Sequence, residues 1–202
     1  MNAREDMLGR VNKALAMLPE RAALPNWDGE LAVAHKLVDH HAPLELFCER
    51  IKLVNGTPMT SVTEVAAYLK KNGWMKGYCD PALQKQLQEQ FGPEFTLSPE
   101  FDRTRVDDYA FGITRAAGGI AETGTIILND TLTSRRLGAL APWVHIAILP
   151  RELIHLTLAD AVLVLGDDPN VIWATGPSKT ADIEGILIEG VHGPGVQIAL
   201  IL

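Results

Sequence analysis

The stretch WVHIAILPRELIHLTLADAVLVLGDDPNVIWAT, residues 143–175, sets two β-branched apolar runs on either side of a segment that reads as a helix. WVHIAIL (Trp143–Leu149) and VIWAT (Val171–Thr175) are apolar on successive residues, so both faces of each strand must be buried. That pattern suits a sheet covered by helices better than a sandwich with one wet face. LIHLTLADAVLVLG, between them, supplies the helix. The same texture recurs upstream in TIIL (Thr125–Leu128) and at the end in VQIALIL (Val196–Leu202). Strand, helix, strand in alternation predicts an α/β fold.

Working toward the N-terminus, the periodicity changes. Met7, Val11, Leu15 and Leu18 recur at helical spacing before Pro19 and Pro25, and a second helical region starts after Asp28 and breaks near Pro43. LELFCERIKLVNG and SVTEVAAYLKKNG each end in glycine as helices do, and Ser61 with Glu64 forms a capping-box pattern. PALQKQLQEQFG opens with proline and closes with glycine, again helix punctuation. The predicted organisation is a helical extension over residues 1–58, packed on an α/β domain over 59–202. His35, His40 and His41 fall in the extension on what reads as a solvated helix face.

At 202 residues, with 47% hydrophobic and 21% charged residues, the chain is long enough to bury a sizeable core without staples. A net charge of −7 argues against a nucleic-acid or anionic-membrane surface. Cys48 and Cys79 stand alone, which reads as reduced thiols and cannot supply a four-cysteine iron–sulfur cluster. No signal-peptide core or spanning segment is apparent, so the expected location is the cytoplasm.

Three segments could carry chemistry. In AETG, Glu122 stands just before an apolar strand, where a carboxylate is costly unless paired. It reads either as a nucleophile or general base, or as half of an ion pair with Arg115, Arg135 or Arg136. SRRLGALAPWVHIAIL places two arginines before a strand, and a guanidinium clamps carboxylate or phosphate; Arg136 is the one expected to point inward. GPSKTADIEG follows a strand and leads into a predicted helix striped by Ile183, Ile186 and Leu187, with Ser178 or Thr180 as cap. Asp182 and Glu184 in that first turn oppose a bound phosphate, and Lys179 offsets one charge. His192, in VHGPG, could reach a cleft as an acid, base or orienting group, whereas His145 reads as a core histidine with its nitrogens satisfied. GPSK leaves a strand while AETG and VHGPG enter strands, so their meeting at one end predicts a mixed sheet.

GITRAAGGIAETGTIIL, the arginine ahead of APWVHIAIL, and GPSKTADIEGILIEGVHGPG together resemble the LUD domain, most of all its lactate-utilisation protein C (LutC/YkgG) type. The resemblance covers about residues 60–202. It implies a three-layer α/β/α fold with a mixed, mostly parallel sheet, similar to the NagB/RpiA/CoA-transferase group. It also implies an accessory role in bacterial oxidation of L-lactate to pyruvate beside iron–sulfur partners of the LutA and LutB kind, with no cofactor or metal in this chain. The family's positions correspond to Glu122, Thr123, Gly124, Thr125, Arg136, Gly176, Pro177, Ser178, Lys179, Thr180, Asp182, Glu184, His192, Gly193 and Pro194, around a small carboxylate or phosphate. Two other readings stay open: a transferase or isomerase acting through Glu122 on a small carboxylate, CoA ester or sugar phosphate, and a small-molecule-binding regulatory module.

Overall fold

Apolar runs and amphipathic segments alternate along the chain, and most of the described ones become the element their period requires. The computed structural model describes residues 3–16, 42–133, 135–165, 170–181 and 186–202. Its first half comprises α1 (Ala3–Leu15), α2 (Pro43–Leu53), β1 (Thr57–Met59), α3 (Val62–Lys71), β2 (Lys76–Cys79), α4 (Pro81–Phe91) and β3 (Thr96–Ser98). A short 3-10 turn over Arg103–Asp108 leads into β4 (Phe111–Arg115), β5 (Gly118–Ile120), β6 (Thr125–Asn129), α5 (Arg136–Leu140) and β7 (Val144–Leu149). The chain closes with β8 (Ile154–His155), α6 (Leu158–Val164), β9 (Val171–Ala174), β10 (Lys179–Ala181), β11 (Leu187–Glu189) and β12 (Val196–Ile201).

Two compact units divide the chain at residues 1–37 and 38–202. The first contains α1, whose Glu5 and Asp6 lie in the first turn and Lys13 in the last, the order that suits a helix dipole. The histidines at 35, 40 and 41 and the helical region expected after Asp28 lie outside the described residues.

In the second unit six parallel strands form a central sheet in the order β1-β12-β7-β4-β2-β3. Alternation along β7 puts successive side chains on opposite faces, and all six are buried. Val144, Ile146 and Ile148 pack with Val65 and Leu69 of α3 and Leu87 and Phe91 of α4. Ala147 and Leu149, on the other face, pack with Leu46, Phe47 and Ile51 of α2 and with Ile126 and Leu128 of β6. The fold is α/β with a mostly parallel central sheet. The antiparallel pairing that the loop directions predicted lies in a second sheet, β8-β5-β6-β9, where β5 runs parallel to β8 and antiparallel to β6.

The winding places one crevice. From β2 the chain passes through α4 to β3 on one side, whereas from β4 it passes to β7 and then β12 on the other. The carboxyl ends of β2 and β4 therefore flank the reversal, the position where open α/β sheets hold ligands. Asp80, 1% exposed, follows β2 there. Its carboxylate accepts from the Ala82 amide (2.8 Å), capping α4, and pairs with Arg115 Nε (2.9 Å) at the end of β4. Helix dipole and guanidinium together make that buried charge tolerable.

Three local expectations are corrected. Ser61 makes no side-chain cap on α3. The helix expected over 153–166 begins only at Leu158, because Ile154 and His155 pair with Gly119 and Ile120, and a capping box between Thr157 and Asp160 sets the helix start. No helix is formed by the described residues after GPSK: Lys179–Ala181 pairs antiparallel with Leu187–Glu189 as a ribbon. Ser178 and Thr180 thus cap nothing, and Ile186 and Leu187 are exposed there.

Candidate functional site

At the crevice, three arginines converge from two parts of the chain. Arg103 opens the 3-10 turn after β3; Arg135 and Arg136 begin α5. Gly112 of β4 explains why α5 lies here: the Gly138 carbonyl sits where a Cβ on Gly112 would be, so only glycine at that strand position lets the helix come down on the sheet. The three guanidiniums line a cavity of about 830 Å³ with Phe101, Asp130 and Thr133. Thr133 Oγ1 donates to the Arg115 carbonyl (3.0 Å), tying the cavity wall to the carboxyl end of β4. A second cavity of about 440 Å³ shares Phe101 and Arg135 with the first and adds Tyr78, Pro81, Pro99 and Glu100.

Charge in this cleft is unbalanced. Arg136 Nε pairs with Asp130 Oδ1 (2.9 Å), while Asp130 Oδ2 accepts from Asn170 Nδ2 (2.7 Å). Arg103 and Arg135 have no carboxylate partner among the described residues. In a chain of net charge −7, a cationic concavity is a natural receptor for an anion, and the planar guanidinium holds carboxylate or phosphate through two parallel hydrogen bonds.

The motif loops occupy other ground. Glu122, in the turn between β5 and β6, is neither paired with Arg115, Arg135 nor Arg136; its Oε1 accepts from the Leu158 amide (2.6 Å) at the start of α6. The helix N-terminus takes the role expected of an arginine. Hydroxyls run from Thr123 to Thr125 (2.7 Å) and from Thr125 to Thr175 (2.7 Å), so AETG meets the strand leading into GPSK. Gly124 (φ +66°) and Gly176 (φ +77°) both seat against α2 and its end, at Arg50–Ile51 and at Val54. Lys179 Nζ donates to the Val54 carbonyl (3.0 Å) and faces Glu189 (3.7 Å).

GPSK also meets VHGP. The Ser178 amide donates to the Pro194 carbonyl (2.9 Å) and its carbonyl accepts from the Gly190 amide (2.8 Å), with Gly193 packed beside the Ser178 side chain and Pro177 buried. His192 is exposed and lines, with Gly193, Tyr109 and Trp143, a cavity of about 470 Å³ at the amino end of the central sheet. Thr123 and Thr125 line a different, apolar cavity of about 450 Å³ with Leu158, Val162 and Trp173. AETG, GPSK and VHGP therefore touch in succession, but Arg136 belongs to the arginine cleft and Glu122 to the α6 cap. Asp182 and Glu184 lie outside the described residues.

His145 is a core histidine, 2% exposed. Gln197 Nε2 donates to its Nδ1 (3.3 Å), which leaves Nε2–H to donate to Thr114 Oγ1 (3.0 Å). Burial drives its pKa down to about 4. Both cysteines are free thiols, and burial pushes Cys79 up to about 12, which keeps it protonated. Among the described residues no group of three or more His, Cys, Asp or Glu could hold a metal, and no helix is long and apolar enough to cross a membrane.

The LUD domain family matches residues 63–202. The chain belongs to the LUD domain family. A lactate utilization protein C of Bacillus subtilis is 38% identical over 45% of this chain and 41% of its own length. Another from Oceanobacillus iheyensis is 39% identical over 37% of this chain and 36% of its own. The chain thus spans less than half the length of these two relatives. An uncharacterized protein of Neisseria meningitidis serogroup B is 28% identical across 96% of the chain and 91% of its own length. A crystal structure of a DUF162 family protein from Deinococcus radiodurans covers 79% of the chain and 96% of that one, with a TM-score of 0.54 and 21% identity, a likeness of fold. In this LUD domain the AETG, GPSK and VHGP loops stand apart from the charged cleft, and Arg136 is the family position that lines it. Arg103, Asp130 and Phe101 escaped sequence reasoning because they lie in irregular segments. Asp80 had a signal in Cys-Asp-Pro, an N-cap residue before a helix-opening proline.

Proposed function

We propose that this LUD domain serves lactate utilisation as an accessory, anion-binding subunit acting with iron–sulfur partner proteins in the oxidation of L-lactate to pyruvate. The clusters belong to the partners, and this chain contributes the cleft of Arg103, Arg135 and Arg136. The single observation that carries the reading is that cleft: three guanidiniums against one paired carboxylate, at the winding reversal of a parallel sheet. The names of the Bacillus and Oceanobacillus relatives support the lactate context. Glu122 supports the structural side of its two readings, since its carboxylate oxygen already holds a helix start.

Thermal unfolding in the presence of L-lactate, pyruvate and inorganic phosphate tests the cleft. At a concentration of about 100 Kd, a bound anion stabilises the fold by about 2.7 kcal/mol. At least one of the three should raise Tm, and the Arg135→Ala/Arg136→Ala variant should lose that rise. The chain alone should not reduce a dye with lactate and should contribute only when the iron–sulfur proteins are added. An undiminished rise in the double variant, or lactate turnover by the chain alone, sinks the proposal.

A further inference from the structure

The arginine cavity does not end at the arginines. Phe101 and Arg135 belong to both chambers, so a ligand held by the guanidiniums has a second, aromatic chamber within reach. We propose that the cleft takes a nucleoside diphosphate, with its diphosphate between Arg103, Arg135 and Arg136 and its base in the chamber of Tyr78 and Phe101. This rests on the reading of the arginine cleft as the ligand site and names the ligand class.

Charge count comes first. A monocarboxylate offers one charge and two acceptor oxygens, which one guanidinium saturates. Arg103 and Arg135 carry no partner among the described residues, and Arg136 has one. A diphosphate spans more than one guanidinium, and its acceptor oxygens match their many donors. The second chamber is walled by aromatic and apolar side chains. Phe101 is fixed from two sides, stacked on Tyr109 (centroids 4.9 Å apart, 22°) and edge-on to Tyr78 (5.8 Å, 89°). Pro81 and Pro99 add apolar walls. Glu100, exposed and with no side-chain partner among the described residues, offers a carboxylate to a ring amine or a ribose hydroxyl. Tyr78 and Pro81 flank Asp80 at the carboxyl end of β2, so the aromatic chamber opens at the switch point itself. Cavities of about 830 and 440 Å³ have the capacity of small-molecule sites.

Calorimetric titration of the full chain with ADP, pyrophosphate, adenosine and pyruvate decides it. ADP should bind about tenfold or more tightly than pyrophosphate, the margin that stacking one base supplies. Phe101→Ala should erase that margin, so that ADP and pyrophosphate bind alike. Glu100→Ala, at an exposed position where folding is not at stake, should weaken ADP and spare pyrophosphate. Arg135→Ala should weaken both. Equal affinity for ADP and pyrophosphate, or an ADP affinity untouched by both Phe101→Ala and Glu100→Ala, overturns the nucleotide assignment while the anion cleft stands. Binding of pyruvate without any phosphate does the same, and no anion binding at all removes both.

Discussion

Gly124→Ala is the perturbation that most directly tests how the AETG turn is held. Two costs combine at this residue, and a second glycine separates them. Gly124 has φ +66°, a left-handed conformation that costs an L-residue about 1–2 kcal/mol. Alanine recovers about 0.4–1 kcal/mol by restricting the unfolded chain, so the backbone contribution alone is roughly 1 kcal/mol. Gly73, at φ +74°, would pay only this much, because a Cβ there meets nothing within 4 Å. At Gly124 the new Cβ would lie 2.5 Å from Arg50 C and 2.6 Å from Ile51 Cα, atoms of the α2 backbone that cannot rotate away. Overpacking of that kind adds about 1–3 kcal/mol. Gly124→Ala should therefore lose roughly 3 kcal/mol and Gly73→Ala roughly 1. At about 2–4 °C per kcal/mol, the Tm losses are roughly 10 °C and 3 °C. Urea unfolding followed by the fluorescence of Trp74, Trp143 and Trp173 reads the unit that contains both glycines. Equal losses at the two positions would falsify the close approach of α2 to the turn.

Glu122→Ala should cost about 1 kcal/mol through the lost cap and charge at the start of α6, and Glu122→Gln less because an acceptor oxygen remains. Anion binding at the arginine cleft should be untouched by either; a Glu122→Gln protein that keeps its Tm but loses the anion would return Glu122 to the ligand site. For His145, the folded pKa of about 4 lies below the ordinary value of 6.5, so below pH 6.5 the unfolded chain takes up a proton that the folded chain refuses. Holding it neutral therefore costs nothing in protonation above pH 6.5 and costs stability progressively as pH falls from 6.5 toward 4, by about 3 kcal/mol in all. His145→Gln should flatten the fall in stability between pH 7 and 4, and an unchanged slope would show that the imidazole is not held neutral.

The strands were legible because each is a short apolar run with no room for another period: β6, β7, β9 and β12 lie within one residue of their expected bounds. His145 was legible too, since a strand residue with apolar neighbours on both sides has nowhere to go but the core. The ribbon of β10 and β11 was not, because Ile183, Ile186 and Leu187 satisfy a helical stripe as well as a strand, and period alone does not choose over so few residues. Tertiary override settled it: the Ser178 carbonyl and amide are engaged by Gly190 and Pro194, which draws both sides of the segment into a hairpin.

By itself, the chain's amino-acid order determined an α/β domain with a mostly parallel sheet. Which charged groups would meet was decided only in three dimensions. Glu122 found a helix terminus instead of an arginine, and Arg136 found Asp130, six residues before it in the chain. Arg103 came to the same cavity from more than thirty residues away. Local order fixes the period of a segment through its own backbone geometry, whereas a charge takes whichever partner the packed elements bring within reach.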